Sequence, residues 1–314
     1  MEYSGRQWAR NPVIAIIAAA VLFGIATPVL KLLLSKVTPV LLVTLLSLGA
    51  GGGVLCWLAV CQSDFSVLPC RALPDRDRYW LAGTVVIGGV VAPLVQFISL
   101  AVTPAATASL LLNFEIVSTL LIAYLIFREP VDRKTGLALT AILTGSILLS
   151  WNGGSVFDFS IGAAGIVVSC FLWGLDNNFM GRISGLSPGM IVVVKELVGG
   201  GIVGTLVILF REPFPGWVPV GFALLTGFLS FGVGLVLLIT ALRTMGAARA
   251  GAVYAAAPFI GCVVSLFLFS DRLGNQFWVS FCLFLAGSLV IIREQWEGRN
   301  STSRKTGTAC PPRQ

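Results

Sequence analysis

Histidine is absent from the 314 residues. That removes histidine-ligated metals, histidine-based nucleophile triads and imidazole proton relays in one observation. Charge is scarce too: 11% of residues are Asp, Glu, Lys or Arg, against about 25% in an ordinary soluble domain. The seven cysteines show no paired spacing. Cys56, Cys170, Cys262 and Cys282 lie inside apolar runs, where a thiol behaves as a small hydrophobe. This pattern argues against a disulfide framework, and neither a metal nor a cofactor is expected. No GxxxxGK[ST] phosphate loop occurs, so ATP drive would need another subunit. The net charge of +7 does not signal nucleic acid, because the basic residues fall in short loops and form no basic face.

What the chain has in place of charge is hydrophobic length. Apolar residues make up 56% of it and the mean hydropathy is +0.93, which places it in a lipid bilayer. Crossing the ~30 Å hydrocarbon core takes about 20 helical residues. Ten apolar runs approach that length: 13–34, 40–60, 79–101, 104–126, 135–151, 160–181, 189–210, 218–242, 248–269 and 276–292. The first is no signal peptide: it is long, carries Lys31 and lacks a clear small-residue cleavage site. Lys and Arg concentrate in the segments that share a side with the N-terminus, including Arg6, Arg10, Arg71, Arg76, Arg78, Arg128, Arg133, Lys134, Arg182, Arg243 and Arg249. Lys31, Lys36, Arg211 and Arg272 fall on the other side. The positive-inside rule then puts both termini in the cytoplasm, for a multi-pass protein of the cytoplasmic (inner) membrane.

The chain repeats itself. Sliding residues 99–150 onto 241–292 pairs them without a gap: Leu100 meets Leu242, Phe127 meets Phe269, Glu129 meets Asp271, and Gly145-Ser146 meets Gly287-Ser288. Upstream, Phe23-Gly24 resembles Trp173-Gly174, Thr38-Pro39 resembles Ser187-Pro188, and Gly51–Gly53 resembles Gly199–Gly201. Each unit holds five spans, an odd number, so the second copy sits upside down relative to the first. The expected fold is therefore an all-α integral membrane protein with ten transmembrane helices in two inverted five-helix repeats. Its expected organisation is a cytoplasmic segment 1–12, a first repeat 13–151, a linker 152–159, a second repeat 160–292 and a disordered cytoplasmic tail 293–314. Inverted repeats are the signature of alternating-access carriers.

The stretch ALRTMGAARAGAVYAAAPFIGCVVSLFLFSDRLG, residues 241–274, and its counterpart SLLLNFEIVSTLLIAYLIFREP, residues 109–130, resemble the repeats of EamA-type proteins in the drug/metabolite transporter superfamily. Pro258 occupies the family's usual proline. At the equivalent place in the fourth span stands Ile116, preceded by Glu115, where many relatives have proline. The resemblance implies ten helices, a central cavity, and export or exchange of small metabolites. A small-molecule substrate and the lipid bilayer are the expected partners, and a homodimer paired through peripheral spans is compatible with the pattern.

Within the apolar runs, the polar residues are the functional candidates. An ionised Glu115 near the middle of a span costs on the order of 2.5–3.5 kcal/mol, so it must face a wet cavity, meet a cation or be protonated. Ser109, Asn113 and Ser118 are spaced near helical periods from Glu115. On one polar stripe, the four would line a substrate path in which Glu115 binds a cationic group or a proton. The bland alternative is a protonated Glu115 making one helix–helix hydrogen bond. Asp176, Asn177 and Asn178 form a polar patch in the sixth span, at a depth similar to Lys195 and Glu196 in the seventh. An Asp176–Lys195 ion pair would serve either as fixed neutralisation or as an inner gate. Lys31 either snorkels to the interface or faces a substrate carboxylate. Pro28 and Pro258 mark kinks, fixed or flexing. The glycine triplets permit close helix approach, with a sliding surface as the functional version.

Two other classes of function stay open. A membrane-embedded enzyme of the serine–histidine type is excluded by the missing histidine. An aspartyl type would need two facing carboxylates, whereas Asp176 and Glu115 are expected at different depths. A non-transporting assembly subunit is the third class.

Overall fold

The computed structural model describes residues 12–61, 75–126, 128, 133–150, 160–183, 186–245, 253–269 and 274–306. Residues 1–11, the expected linker 152–159 and the end of the tail, 307–314, lie outside the described residues. So do Arg6, Arg10, Arg71, Arg249 and Arg272, which enter the orientation argument.

All regular structure among the described residues is helical. The helices are α1 (Pro12–Leu33), α2 (Pro39–Cys61), α3 (Asp75–Val86), α4 (Ala92–Val102), α5 (Ala105–Leu111), α6 (Phe114–Leu125), α7 (Arg133–Ser150), α8 (Ile161–Met180), α9 (Pro188–Leu209), α10 (Trp217–Thr226), α11 (Leu235–Met245), α12 (Ala257–Phe269) and α13 (Asn275–Thr306). A π-turn, Ile87–Val91, joins α3 to α4, and another, Gly227–Gly234, joins α10 to α11. With α5 and α6 also near-continuous, the helices form ten rods.

Six rods are long and apolar enough to cross a membrane: Val13–Leu33, Pro39–Val60, Asp75–Val102, Ala105–Leu125, Pro188–Leu209 and Trp217–Ala241. Gly136–Leu149, Ala257–Phe269 and Asn275–Val290 are apolar but shorter. The 20-residue α8 has the length, but Asp176-Asn177-Asn178 interrupt its apolar run. The last helix differs from expectation: α13 runs on to Thr306, so the stretch read as a disordered tail is helical from 293 to 306. Helix extension is cheap once a helix exists, and Glu294, Gln295, Glu297 and Arg299 are good or adequate helix formers.

Local chemistry sets the ends and breaks. Ser160 and Ser187 cap α8 and α9, each accepting from the backbone N–H three residues on, Ala163 and Met190, both at 3.3 Å. Pro188 then takes the first helical position, where its missing N–H costs nothing. Gly216, at φ 94°, precedes α10 in a conformation that favours glycine. In the third rod Pro93 would drive its ring against the carbonyl of Gly89. The ladder widens there, and the Ala92 N–H reaches back five residues to Ile87 O. In the fourth rod Asn113 turns its side-chain amide onto Leu110 O at 2.9 Å, competing with the helical ladder. The backbone tightens to i→i−3 bonds, Asn113 N to Leu110 O at 3.0 Å and Glu115 N to Leu112 O at 3.0 Å. Pro258 falls in the first turn of α12, after a turn at Ala255–Ala256, a position where proline is tolerated.

The rods pack as follows. α2 lies along α9, and α7 along α13. α4 and α6 pack on α8, while α11, the second π-turn and α12 pack on α1. The second π-turn also meets α2, the first meets α9, and α5 meets α12. Glycine makes these approaches close. A Cβ on Gly49 would stand 2.1 Å from Leu224 O, and one on Gly227 would stand 2.2 Å from Leu46 O. Within the triplets, Gly51, Gly53, Gly199 and Gly200 face Leu197, Phe228, Gly89 and Ser47, while Gly52 and Gly201 have nothing within 4 Å.

Candidate functional site

The polar residues converge on α8 and α9. Lys195 Nζ lies 2.6 Å from Asp176 Oδ2, and the two side chains are 1% and 0% exposed. Asp176 Oδ1 accepts from the Thr84 hydroxyl of α3. The Lys195 ammonium also sits 4.8 Å from the centre of the Trp173 ring, within cation–π range. Trp173 Nε1 in turn donates to Gln96 Oε1 at 2.7 Å. Two carboxylate oxygens, a hydroxyl, an ammonium and an aromatic face thus partner one another in a fully buried cluster. Room for Asp176 comes from Gly88, since a Cβ there would stand 2.2 Å from the Asp176 carboxyl carbon. The π-turn that Pro93 induces therefore places a glycine opposite the ion pair.

Glu196, one residue from Lys195, points elsewhere. Its Oε2 accepts from Ser47 Oγ of α2 at 3.0 Å, and both residues are buried. It lines a cleft with room for about one water. The aromatic walls of that cleft are Phe97, Trp173 and Phe231, and Val43, Leu46, Ser47, Gly88 and Pro93 complete the lining.

Glu115 is half-buried and accepts from Asn177 Nδ2 at 2.8 Å. Asn177 lies 3.3 Å from Thr119 Oγ1 as well, and Asn178 donates to the carbonyls of Thr119 and Gly174 at 3.0 and 2.8 Å. These bonds fasten α6 to α8. The single polar stripe expected from Ser109, Asn113, Glu115 and Ser118 does not form. Ser109 abuts Gly261 of α12, Asn113 Oδ1 accepts from Ser288 of α13 at 3.4 Å, and Ser118 abuts Gly174 of α8. All three are fully buried. The break at Leu112–Asn113 is the physical reason, because it shifts the helical phase between α5 and α6.

Lys31 makes a different kind of contact. Its Nζ donates to Leu100 O and Ala101 O at 2.7 and 2.8 Å, in the last turn of α4. Leu100 O also accepts from the Thr103 N–H at 3.3 Å, and at a helix C-terminus, where the last carbonyls lack i+4 donors, the dipole favours a cation. Pro28 sits inside α1 and leaves the Gly24 carbonyl without its helical donor. That carbonyl lies 2.6 Å from where a Cβ of Gly261 would be, so α1 and α12 meet at bare backbone.

Sequence reasoning missed Ser47, Thr84, Gln96, Phe97 and Phe231. Gln96 carried a signal, as the one amide side chain in the otherwise apolar run 87–102. Ser47 and Thr84 carried none, since small hydroxyls are common in bilayer helices.

Apolar rods of membrane-crossing length around a buried polar network define a polytopic membrane protein. The comparison with known proteins makes this specific. The chain belongs to the EamA-like transporter family, whose pattern matches residues 10–151 and 160–293. It is similar to an uncharacterized transporter of Methanothermobacter thermautotrophicus, at 27% identity over 324 residues, spanning 95% of this chain and 89% of that one. A protein of known crystal structure shares the fold, with a TM-score of 0.58 and 18% identity over 89% of this chain and 94% of that one. Membership of this family makes the chain a membrane transport protein.

Proposed function

We propose that the chain is a secondary transporter that exports or exchanges small organic metabolites across the cytoplasmic membrane by alternating access. Its ten rods form two inverted five-helix repeats in this reading, with both termini cytoplasmic. The observation that carries it is the equivalence of packing between the halves. Gly24 of α1 meets Ala257 and Ile260, and Gly174 of α8 meets Ser118 and Thr119. The sequence repeat pairs Gly24 with Gly174 and Ile260 with Ser118. The third and eighth rods both carry a π-turn, and each packs on the first rod of the opposite half. Two halves that hold each other through interchangeable contacts can swap conformations, giving states open to either side.

Glu115 with Asn177 forms the solute- or proton-binding element near α6, and the Asp176–Lys195 pair is the element that locks α8 to α9. The test is reconstitution into liposomes loaded with a mixture of small metabolites, with mass spectrometry of what exchanges. Protein-dependent counterflow of at least one solute is expected, and none beyond protein-free vesicles would remove the reading. Under a pH gradient, Glu115→Gln should abolish gradient-driven uptake while leaving downhill exchange. Unchanged gradient-driven uptake would take the proton from Glu115.

A further inference from the structure

We infer that the cleft at Glu196 is a receptor for a small organic ammonium cation, the class of substrate this protein would carry; for its transport role, though not for binding, the inference rests on the function proposed above. Three carboxylates, Glu115, Asp176 and Glu196, and one ammonium, Lys195, lie on α6, α8 and α9. Asn177 bonds Glu115 at 2.8 Å, so Glu115 and Asp176 are neighbours and not at the different depths expected from the sequence. Lys195 bonds Asp176 at 2.6 Å and reaches Glu115 and Glu196 only by longer-range attraction. Among the described residues, that leaves Glu115 and Glu196 with neutral donors only, Asn177 and Ser47. Of these two, Glu196 lines the cleft described above. Both it and its hydroxyl partner are more than nine-tenths buried, at 6% and 4% exposure. One ammonium among three buried carboxylates leaves the cluster short of positive charge, and a further cation would supply it.

The walls select the kind of cation. Phe97, Trp173 and Phe231 line the same cleft, and the rings of Phe97 and Phe231 meet edge to face with centroids 6.4 Å apart. Rings beside a carboxylate favour alkylammonium groups, whose charge is diffuse, over hydrated metal ions, which need several oxygen ligands. The protein already uses this chemistry: the Trp173 face holds the Lys195 ammonium at 4.8 Å. In the captured form the cleft has room for about one water, so a ligand requires its walls to part. Gly88 and Phe231 belong to the two π-turns, an irregularity frequent at functional sites. Two of the cleft's lining residues thus come from segments where the regular helical ladder is interrupted.

The experiment is isothermal titration of the purified full chain in nanodiscs with tetramethylammonium chloride. Two matched probes accompany it: 2,2-dimethylpropan-1-ol, of similar shape and neutral, and sodium acetate. Saturable binding of the cation alone is expected. Glu196→Gln and Phe231→Leu should each weaken it roughly tenfold or more, with thermal unfolding near wild type. Equal binding of the neutral probe, no saturable binding of the cation, or full affinity in Glu196→Gln would overturn the inference. Should one variant not fold, the other assigns the site, while the three probes on the wild-type chain decide the preference for a cation. Cation binding without flux in liposomes would leave the receptor standing and remove transport. Metabolite flux without saturable cation binding would remove the receptor and leave transport.

Discussion

Replacing Lys195 by methionine isolates the energetics of the buried ion pair. At 2.6 Å and an effective dielectric of about 20, the attraction is of order 6 kcal/mol. Desolvating each ion costs several kcal/mol, so the intact pair nets little. Removing one partner is another matter. Lys195→Met leaves the Asp176 carboxylate fully buried with only the Thr84 hydroxyl, which costs about 3–5 kcal/mol. It also strips the cation from Trp173, a further ~0.5–2 kcal/mol. The double variant Lys195→Met/Asp176→Asn removes both charges while keeping a group that can bond Thr84. It should recover most of the loss, because a neutral pair of similar volume is often as stable as the ions it replaces. The assay is a double-mutant cycle on unfolding of the purified protein in a fixed detergent, with Asp176→Asn as the fourth corner. A coupling energy of about 2 kcal/mol or more is expected. Simple additivity, or a Lys195→Met variant within about 1 kcal/mol of wild type, would show that the pair is not the energetic centre the geometry implies.

Two further outcomes follow from the same contacts. Gly88→Ala forces a methyl against the Asp176 carboxyl and should destabilise by about 1–3 kcal/mol, whereas Gly201→Ala, with nothing within 4 Å, should fall within about 0.5 kcal/mol of wild type or gain slightly; equal thermal shifts would contradict the packing. Lys31→Met removes the ammonium from Leu100 O and Ala101 O and should cost about 0.5–2 kcal/mol, read as faster hydrogen exchange at the end of α4, and unchanged exchange there would mean that the cap contributes nothing.

Much of the architecture was legible before any coordinates. Hydropathy located nearly every rod to within a few residues, because a bilayer helix bonds its own backbone internally and needs apolar side chains over the whole thickness of the hydrocarbon. The polar residues of the sixth and seventh spans also stood out, for an intramembrane charge is rare. Two features were not legible. The fourth rod reads as one helix, and only the turn of Asn113 onto Leu110 O breaks its phase. As a result Ser109, Asn113 and Ser118 serve three different helix contacts rather than one path. The helical run past residue 292 was missed for another reason: polarity was taken as lack of structure, although charged residues propagate a helix well.

The sequence by itself determined the medium, the number and approximate limits of the apolar runs, the internal repetition, and the short supply of charge. Each depends on composition or on near neighbours along the chain. Tertiary structure alone decided which carboxylate Lys195 satisfies, and that Glu196 instead faces Ser47 and a ring of aromatics. Those choices depend on the rotation and spacing of α2, α8 and α9, set by glycines meeting backbone and by π-turns in the third and eighth rods. Adjacent residues on a helix point about 100° apart, so Lys195 and Glu196, neighbours in the chain, bond different helices, Asp176 of α8 and Ser47 of α2.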